Sequence, residues 1–232
     1  MSDFGARLTQ IRERMARAAR RAGRGPDEIT LLAVSKTFSV PAIEEAISCG
    51  VTRFGESRVQ EAEAKVDALG GHISWDMIGH LQRNKVARAL SLFGLIHSLD
   101  SLRLAERINR LAIEQGQVQD VLVEVNVTAD AARTGVLPEQ AEALVREAVA
   151  YPGLRVRGLM GMAPHSPDPE HARPHFVKLA SLRERIAQAV PAASMEVLSM
   201  GMSGDFEVAI EEGASLIRVG SALFGRRNAG ER

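Results

Sequence analysis

The sequence predicts an α/β protein of one domain, a parallel (β/α)8 TIM barrel preceded by an amphipathic helix. Three observations lead there. Eight short apolar runs alternate with helix-like segments along the whole chain. The 232 residues suit one domain spanning 1–232, and no Pro/Ser-rich or low-complexity linker divides them. Polar residues and glycines gather just after the apolar runs, on the face where such barrels carry their chemistry. An open doubly wound sheet is the structural alternative, and the first run lacks the GxGxxG turn of its dinucleotide-binding form.

The chain opens with Phe4–Ala22, where Leu8, Ile11, Met15, Ala18 and Ala19 share one helical face. Arg7, Arg12, Arg14, Arg17, Arg20 and Arg21 fall mostly elsewhere, so the reading is a helix packed on the barrel with a solvated basic face. Strands are expected at Thr30–Ser35, Arg53–Gly55, Ser74–Ile78, Gly94–His97, Val121–Val127, Arg155–Met160, Met195–Ser199 and Leu216–Val219. Helices are expected between them at Val40–Cys49, Ser57–Leu69, Leu81–Leu92, Ser101–Gln115, Pro138–Ala150, Glu170–Val190 and Phe206–Glu212. Ser101 and Pro138 are suitable starts, and Gly50, Gly70 and Gly213 suitable stops.

Composition narrows the partners. Acidic and basic residues balance at 29 each, which gives no electrostatic case for nucleic acid or a membrane surface and favours a small ligand. Cys49 is the single cysteine, so neither an internal disulfide nor a multi-cysteine metal site is available. With no secretory signal and no apolar stretch near the roughly 18 residues of a spanning helix, the expectation is a soluble cytoplasmic protein. His72, His80, His97, His165, His171 and His175 show no metal-binding spacing; His171 and His175, four apart in a charged segment, read as a solvated helix face. The methionines Met160, Met162, Met195, Met200 and Met202 read as barrel filling or site rim.

The positions after the strands form one set. Lys36 leaves the first, and an amine there suits Schiff-base chemistry with a carbonyl; the bland alternative is a solvated surface lysine. Gly55-Glu56-Ser57 follows the second strand and Gly79-His80 the third. Ser203-Gly204 after the seventh and Gly220-Ser221 after the eighth would aim backbone N–H groups and hydroxyls at one point, a cup for phosphate. Good turn residues would look the same singly, but here they occur at adjacent strands. Arg218, in the last strand, is placed to point inward beside that cup, and a guanidinium near a heteroaromatic nitrogen disfavours protonation of that nitrogen. Lysine, phosphate cup and inward arginine together describe a site for pyridoxal 5′-phosphate. The Pro164–Pro169 stretch is a stiff loop suited to covering the mouth, or a plain connection.

These segments, Leu31–Thr37, Phe54–Ser57, Trp75–Lys85, Leu198–Asp205 and Arg218–Gly225, occur in one order and resemble the pyridoxal phosphate homeostasis proteins, in bacteria the YggS family. The resemblance implies a fold-type III barrel like the N-terminal domain of alanine racemase, without that enzyme's C-terminal β-domain. It implies the cofactor held as an aldimine on Lys36, with Ser203, Gly204, Gly220 and Ser221 in phosphate-binding turns, Arg218 at the pyridine nitrogen, and Ser57, Ile78 and Gly79 completing the site. It also implies a role in vitamin B6 and amino-acid homeostasis by exchange of pyridoxal phosphate with cofactor-requiring apo-enzymes. A monomer is expected.

Three departures stand out: Asp76 where the family usually has histidine, Ser57 where it has asparagine, and Arg133 where it has lysine. The alternative activity is a small racemase or lyase. Racemisation needs a second acid/base opposite Lys36, and the single tyrosine, Tyr151, is expected on the opposite rim. A class I aldolase would also explain a lysine beside a phosphate cup, though not the ordered motifs.

Overall fold

The computed structural model describes residues 2–71, 73–128 and 130–225. Helix α1 (Asp3–Arg21) precedes an alternating series: β1 (Thr30–Val34), α2 (Val40–Ser48), β2 (Arg53–Glu56), α3 (Val59–Leu69), β3 (Ser74–Met77), α4 (Val86–Leu92), β4 (Leu95–Leu99) and α5 (Leu102–Glu114). It continues through β5 (Gln119–Val125), α6 (Pro138–Ala148), β6 (Leu154–Gly161), α7 (Arg173–Ala189), β7 (Val197–Ser199), α8 (Phe206–Glu211), β8 (Leu216–Val219) and α9 (Ser221–Phe224). The strands run parallel in sequence order and close on themselves, β1 pairing with β8 in the register Leu32↔Arg218 and Ala33↔Val219. The expected barrel is therefore the observed one.

The strand sequences explain the closure. Both sides of each strand are covered, so the strands read as near-continuous apolar runs rather than alternating ones. Alternate residues still divide between two faces. Leu32, Leu95, Leu122, Met160 and Leu216 form a buried cluster inside the barrel, with Ile78, Met162 and Val197 against it. A second, larger cluster that includes Phe54, Met77, Ile96, Val121 and Val123 packs under the helices. Gly158 lets β6 approach β7: a Cβ there would stand 1.8 Å from the carbonyl oxygen of Val197.

Helix α1 buries Phe4, Leu8, Ile11, Met15, Ala18 and Ala19, the predicted face together with Phe4. Its basic side is less solvated than the sequence suggests. Arg14 pairs with Glu207 of α8 at 2.7 Å and stacks over Phe206 at 4.6 Å, and Arg21 pairs with Glu211 at 2.7 Å. Arg7 Nε donates to the carbonyl oxygen of Leu223 in α9 at 2.6 Å. The arginines thus fasten α1 to the two helices that follow β7 and β8.

Two predicted helices begin three or more residues later than expected. Leu81 is buried and the chain makes a 3-10 turn at Arg83–Lys85 before α4 starts at Val86. A similar turn at Pro169–Ala172, capped by the Asp168 side chain on the N–H of Glu170, precedes α7. His171 lies in that turn and is exposed, whereas His175 is half-buried, its Nδ1 3.3 Å from the carbonyl oxygen of Val127, so it is not on a solvated face. Among the described residues no helix is long and apolar enough to cross a membrane.

Candidate functional site

A cavity of about 660 Å³ opens at the C-terminal ends of the strands. It is lined by Lys36, Ile78, Ser203, Gly204, Arg218, Gly220 and Ser221, which the sequence placed after or within four different strands. Ser57 and Gly79 are not part of the lining. They press on one another instead, since a Cβ on Gly79 would lie 2.4 Å from the carbonyl oxygen of Ser57. A glycine is required there for packing of the second strand's loop on the third's.

Lys36 lies two residues beyond the end of β1 and is half-buried. Among the described residues its amine makes no hydrogen bond or ion pair. The backbone on either side of it is held firmly. Ser35 directly before it is buried, its hydroxyl donating to Glu56 Oε1 at 2.6 Å and its carbonyl oxygen accepting from Lys65 Nζ at 2.8 Å. Thr37 directly after it has φ of +69°, a left-handed conformation that a β-branched residue adopts only under constraint. Its N–H donates to Glu61 Oε1, and Glu61 is also bound to Lys65 at 2.7 Å.

The carboxylates of this clamp differ. Burial raises the Glu56 carboxyl above its ordinary value, against the pull of the Lys65 and Ser35 hydrogen bonds. Glu61 is also pushed up by burial, but the hydrogen bonds from Lys65 and Thr37 outweigh that and hold it below its ordinary value.

Across the cavity two turns face each other. Ser203 Oγ accepts from the N–H groups of Gly220 and Ala222, each at 3.3 Å, tying the turn after β7 to the turn after β8. Among the described residues the N–H groups of Ser203, Gly204 and Ser221 meet no protein acceptor. Asp205 Oδ1 accepts from the N–H of Met202 at 2.6 Å and closes the first turn. Burial raises the Asp205 carboxyl, with Met202 and the nearby Arg218 charge opposing.

Arg218 is buried below these turns, Nη1 donating to Ser199 Oγ at 2.6 Å and Nη2 to the carbonyl oxygen of Gly161 at 3.0 Å. Burial pulls its guanidinium down to about 10, against the support of the Asp205 and Glu124 charges, so it stays charged at neutral pH. Val34, Ile78 and Met162 supply apolar wall, and the Pro164–Pro169 loop borders the mouth through His165, Ser166 and Asp168. Arg133 anchors that side, donating to the carbonyl oxygens of Met162 at 3.2 Å and Ala163 at 3.3 Å.

Sequence reasoning missed the Lys65 clamp, because Glu61 and Lys65 look like an exposed i,i+4 pair and only burial distinguishes them. It also passed over Val34, which β-alternation with Leu32 does signal. Tyr151 stands just before β6, at the barrel end opposite the cavity. Among the described residues no group of His, Cys, Asp and Glu is arranged to hold a metal; His72 lies outside them.

Comparison with known proteins agrees with the geometry. Residues 6–228 match the family model described as alanine racemase, N-terminal domain. The chain is 44% identical to the pyridoxal phosphate homeostasis protein of Aquifex aeolicus, over 95% of this chain and 97% of that one. Among solved structures it is similar to PipY of Synechococcus elongatus with PLP bound, at 34% identity, TM-score 0.85, and coverage of 96% of this chain and 100% of that chain. An alanine racemase of Clostridium difficile matches at TM-score 0.74 and 14% identity, over 94% of this chain but 56% of its own, a likeness of fold.

Proposed function

The chain belongs to the alanine racemase N-terminal domain family and, within it, to the pyridoxal phosphate homeostasis proteins; from that premise we propose that it binds pyridoxal 5′-phosphate and exchanges it with cofactor-requiring apo-enzymes. In this reading the Lys36 amine attacks the aldehyde carbon of the cofactor, water leaves, and a reversible Schiff base forms.

The observation that carries the reading is the pairing, in one cavity, of a lysine amine and two turns of N–H groups that meet no protein partner among the described residues. Their chemistry fits the two ends of the ligand. The N–H groups of Ser203, Gly204 and Ser221 suit phosphate oxygens, and the Ser203 hydroxyl links the turns that present them. Val34, Ile78 and Met162 suit the faces of an aromatic ring. Arg218, charged and fixed by Ser199 and Gly161, suits an unprotonated ring nitrogen as acceptor. Bound pyridoxal phosphate supplies an electrophilic carbon and an electron sink; an arginine at the ring nitrogen weakens that sink, which favours storage over carbanion chemistry. A racemase would need a proton donor on each face of the ring, and Tyr151 lies at the far end of the barrel.

Loading the protein with pyridoxal phosphate, desalting it and mixing it with a cofactor-free pyridoxal-phosphate enzyme tests the reading. Recovery of that enzyme's activity in proportion to the cofactor carried is the expected result. No recovery, where the same amount of free cofactor restores activity, would remove the exchange role. Sustained conversion of L- to D-alanine would move the assignment to the racemase.

A further inference from the structure

A line of five polar side chains crosses the barrel interior beneath the cavity. Arg53, at the start of β2, grips Asp76 of β3, its Nε standing 3.1 and 3.0 Å from the two carboxylate oxygens. Asp76 Oδ2 is 2.9 Å from His97 Nε2 on β4, and His97 Nδ1 is 3.1 Å from Ser199 Oγ on β7. Ser199 Oγ in turn receives Arg218 Nη1 at 2.6 Å. Asp76, His97, Ser199 and Arg218 are all at most 5% exposed, while the Arg53 side chain keeps 32% exposure at the other end.

Such a line is worth its desolvation only when every member is satisfied, and one proton arrangement does that. A guanidinium donates and never accepts, so Arg218 takes a lone pair of Ser199. The serine hydrogen is then free for His97 Nδ1, which must be unprotonated. Nε2 carries the imidazole proton and donates to Asp76, whose carboxylate also receives Arg53. Were Nδ1 protonated instead, Ser199 would accept from both sides and its own hydrogen would have no acceptor in the line. Burial, which lowers the His97 value against the pull of Asp76, keeps the ring neutral as this arrangement requires.

We propose that His97 and Asp76 are positioning residues for Arg218: they fix the direction of the Ser199 hydroxyl, which with Gly161 holds the guanidinium in a single orientation facing the cavity. The consequence for function rests on the pyridoxal phosphate reading above. A guanidinium so held meets the ring nitrogen at no further cost in side-chain freedom, whereas a loose one must be ordered on binding. Asp76 thereby gains a role that its sequence position alone does not suggest, as the acceptor that selects the imidazole tautomer.

Two readings on the full chain test this. The first is the ¹⁵N resonances of the Arg218 guanidinium in cofactor-free protein, in wild type and in His97→Leu, His97→Gln and Ser199→Ala. Separate, slowly exchanging Nη signals are expected in wild type and in His97→Gln, whose amide can accept from Ser199 and donate to Asp76. Collapsed signals are expected in His97→Leu and Ser199→Ala. The second is calorimetric binding of pyridoxine 5′-phosphate, which has the ring and phosphate but no aldehyde, against inorganic phosphate. His97→Leu and Ser199→Ala should weaken pyridoxine phosphate about tenfold, the size of one hydrogen bond to a charged group, and leave inorganic phosphate unchanged.

Asp76→Ala, which leaves Ser199 and its bond to Arg218 in place, decides the matter should His97→Leu not fold, with the same collapse expected. Unchanged Arg218 signals in His97→Leu, Asp76→Ala or Ser199→Ala, or equal weakening of both ligands, overturns the proposal. Wild type that binds neither ligand overturns the cofactor reading instead, and the Arg218 signals then decide the positioning role alone.

Discussion

Lys65 Nζ donates to the carbonyl oxygen of Ser35 at 2.8 Å, so a buried lysine on α3 grips the residue that directly precedes the proposed anchor, Lys36. The same amine binds Glu56 and Glu61, and Glu61 accepts the N–H of Thr37 on the other side of the anchor. Two lysines thus stand in one region with opposite roles: Lys65 is saturated with acceptors and Lys36 has none among the described residues. The left-handed Thr37 is the strained element that this clamp holds.

Replacing Lys65 should therefore cost both fold and site. In Lys65→Met the buried Glu56 loses its cation, and a buried pair broken from one side costs about 3–5 kcal/mol. Urea unfolding should show this loss, and Glu56→Gln added to Lys65→Met should recover part of it. A loss below about 1 kcal/mol would mean that the clamp is solvated and the geometry of Lys36 is set by something else.

Ser203→Ala tests the phosphate turns. Its hydroxyl is the shared acceptor for the N–H groups of Gly220 and Ala222. The substitution should lower affinity for inorganic phosphate and for pyridoxine 5′-phosphate alike, by about tenfold, with stability changed by no more than about 1 kcal/mol. Calorimetry on both ligands reads this, and affinity retained for both would place the phosphate elsewhere.

Glu124 gives a prediction about pH. Its Oε1 accepts from Thr134 at 2.6 Å, its Oε2 is buried without a partner among the described residues, and burial raises its carboxyl above the ordinary 4.5, against the Thr134 hydrogen bond. A raised native value means that the folded chain holds a proton the unfolded chain has released. This carboxyl's contribution to stability therefore falls as pH rises from 4.5 to the raised value, and stays low above it. Glu124→Gln removes the charge and keeps an acceptor for Thr134. Its stability relative to wild type should grow from pH 4 to pH 7 in urea unfolding, whereas a constant difference would show that Glu124 titrates normally.

The sequence made the barrel legible because each buried parallel strand stands out as a short apolar run between helical stretches. Limits were harder where the chain turns before its helix, as at Arg83–Lys85, since a 3-10 turn and a first helical turn share the same residue types. Lys36, Arg218 and the glycine-serine turns were legible because they sit at strand ends or in the last strand, where topology alone brings them together. The Arg53–Asp76–His97–Ser199 line was not, because its members lie in different strands and each looks isolated in an apolar run. His97 in Leu95–Leu99 reads as a filled core position until the barrel closes and brings Ser199 of β7 within reach across the interior. Asp76 stood out only as a departure from the family pattern, and its partners explain it.

The role of Lys36 as the anchor is tested most directly by adding pyridoxal phosphate to the purified protein, recording the visible spectrum, reducing with borohydride and mapping the modified peptide. A Schiff-base absorption band with the reduced label on Lys36, lost in Lys36→Ala, is the predicted result. A label on Lys65 or on a surface lysine, or no band and no label at all, would contradict it.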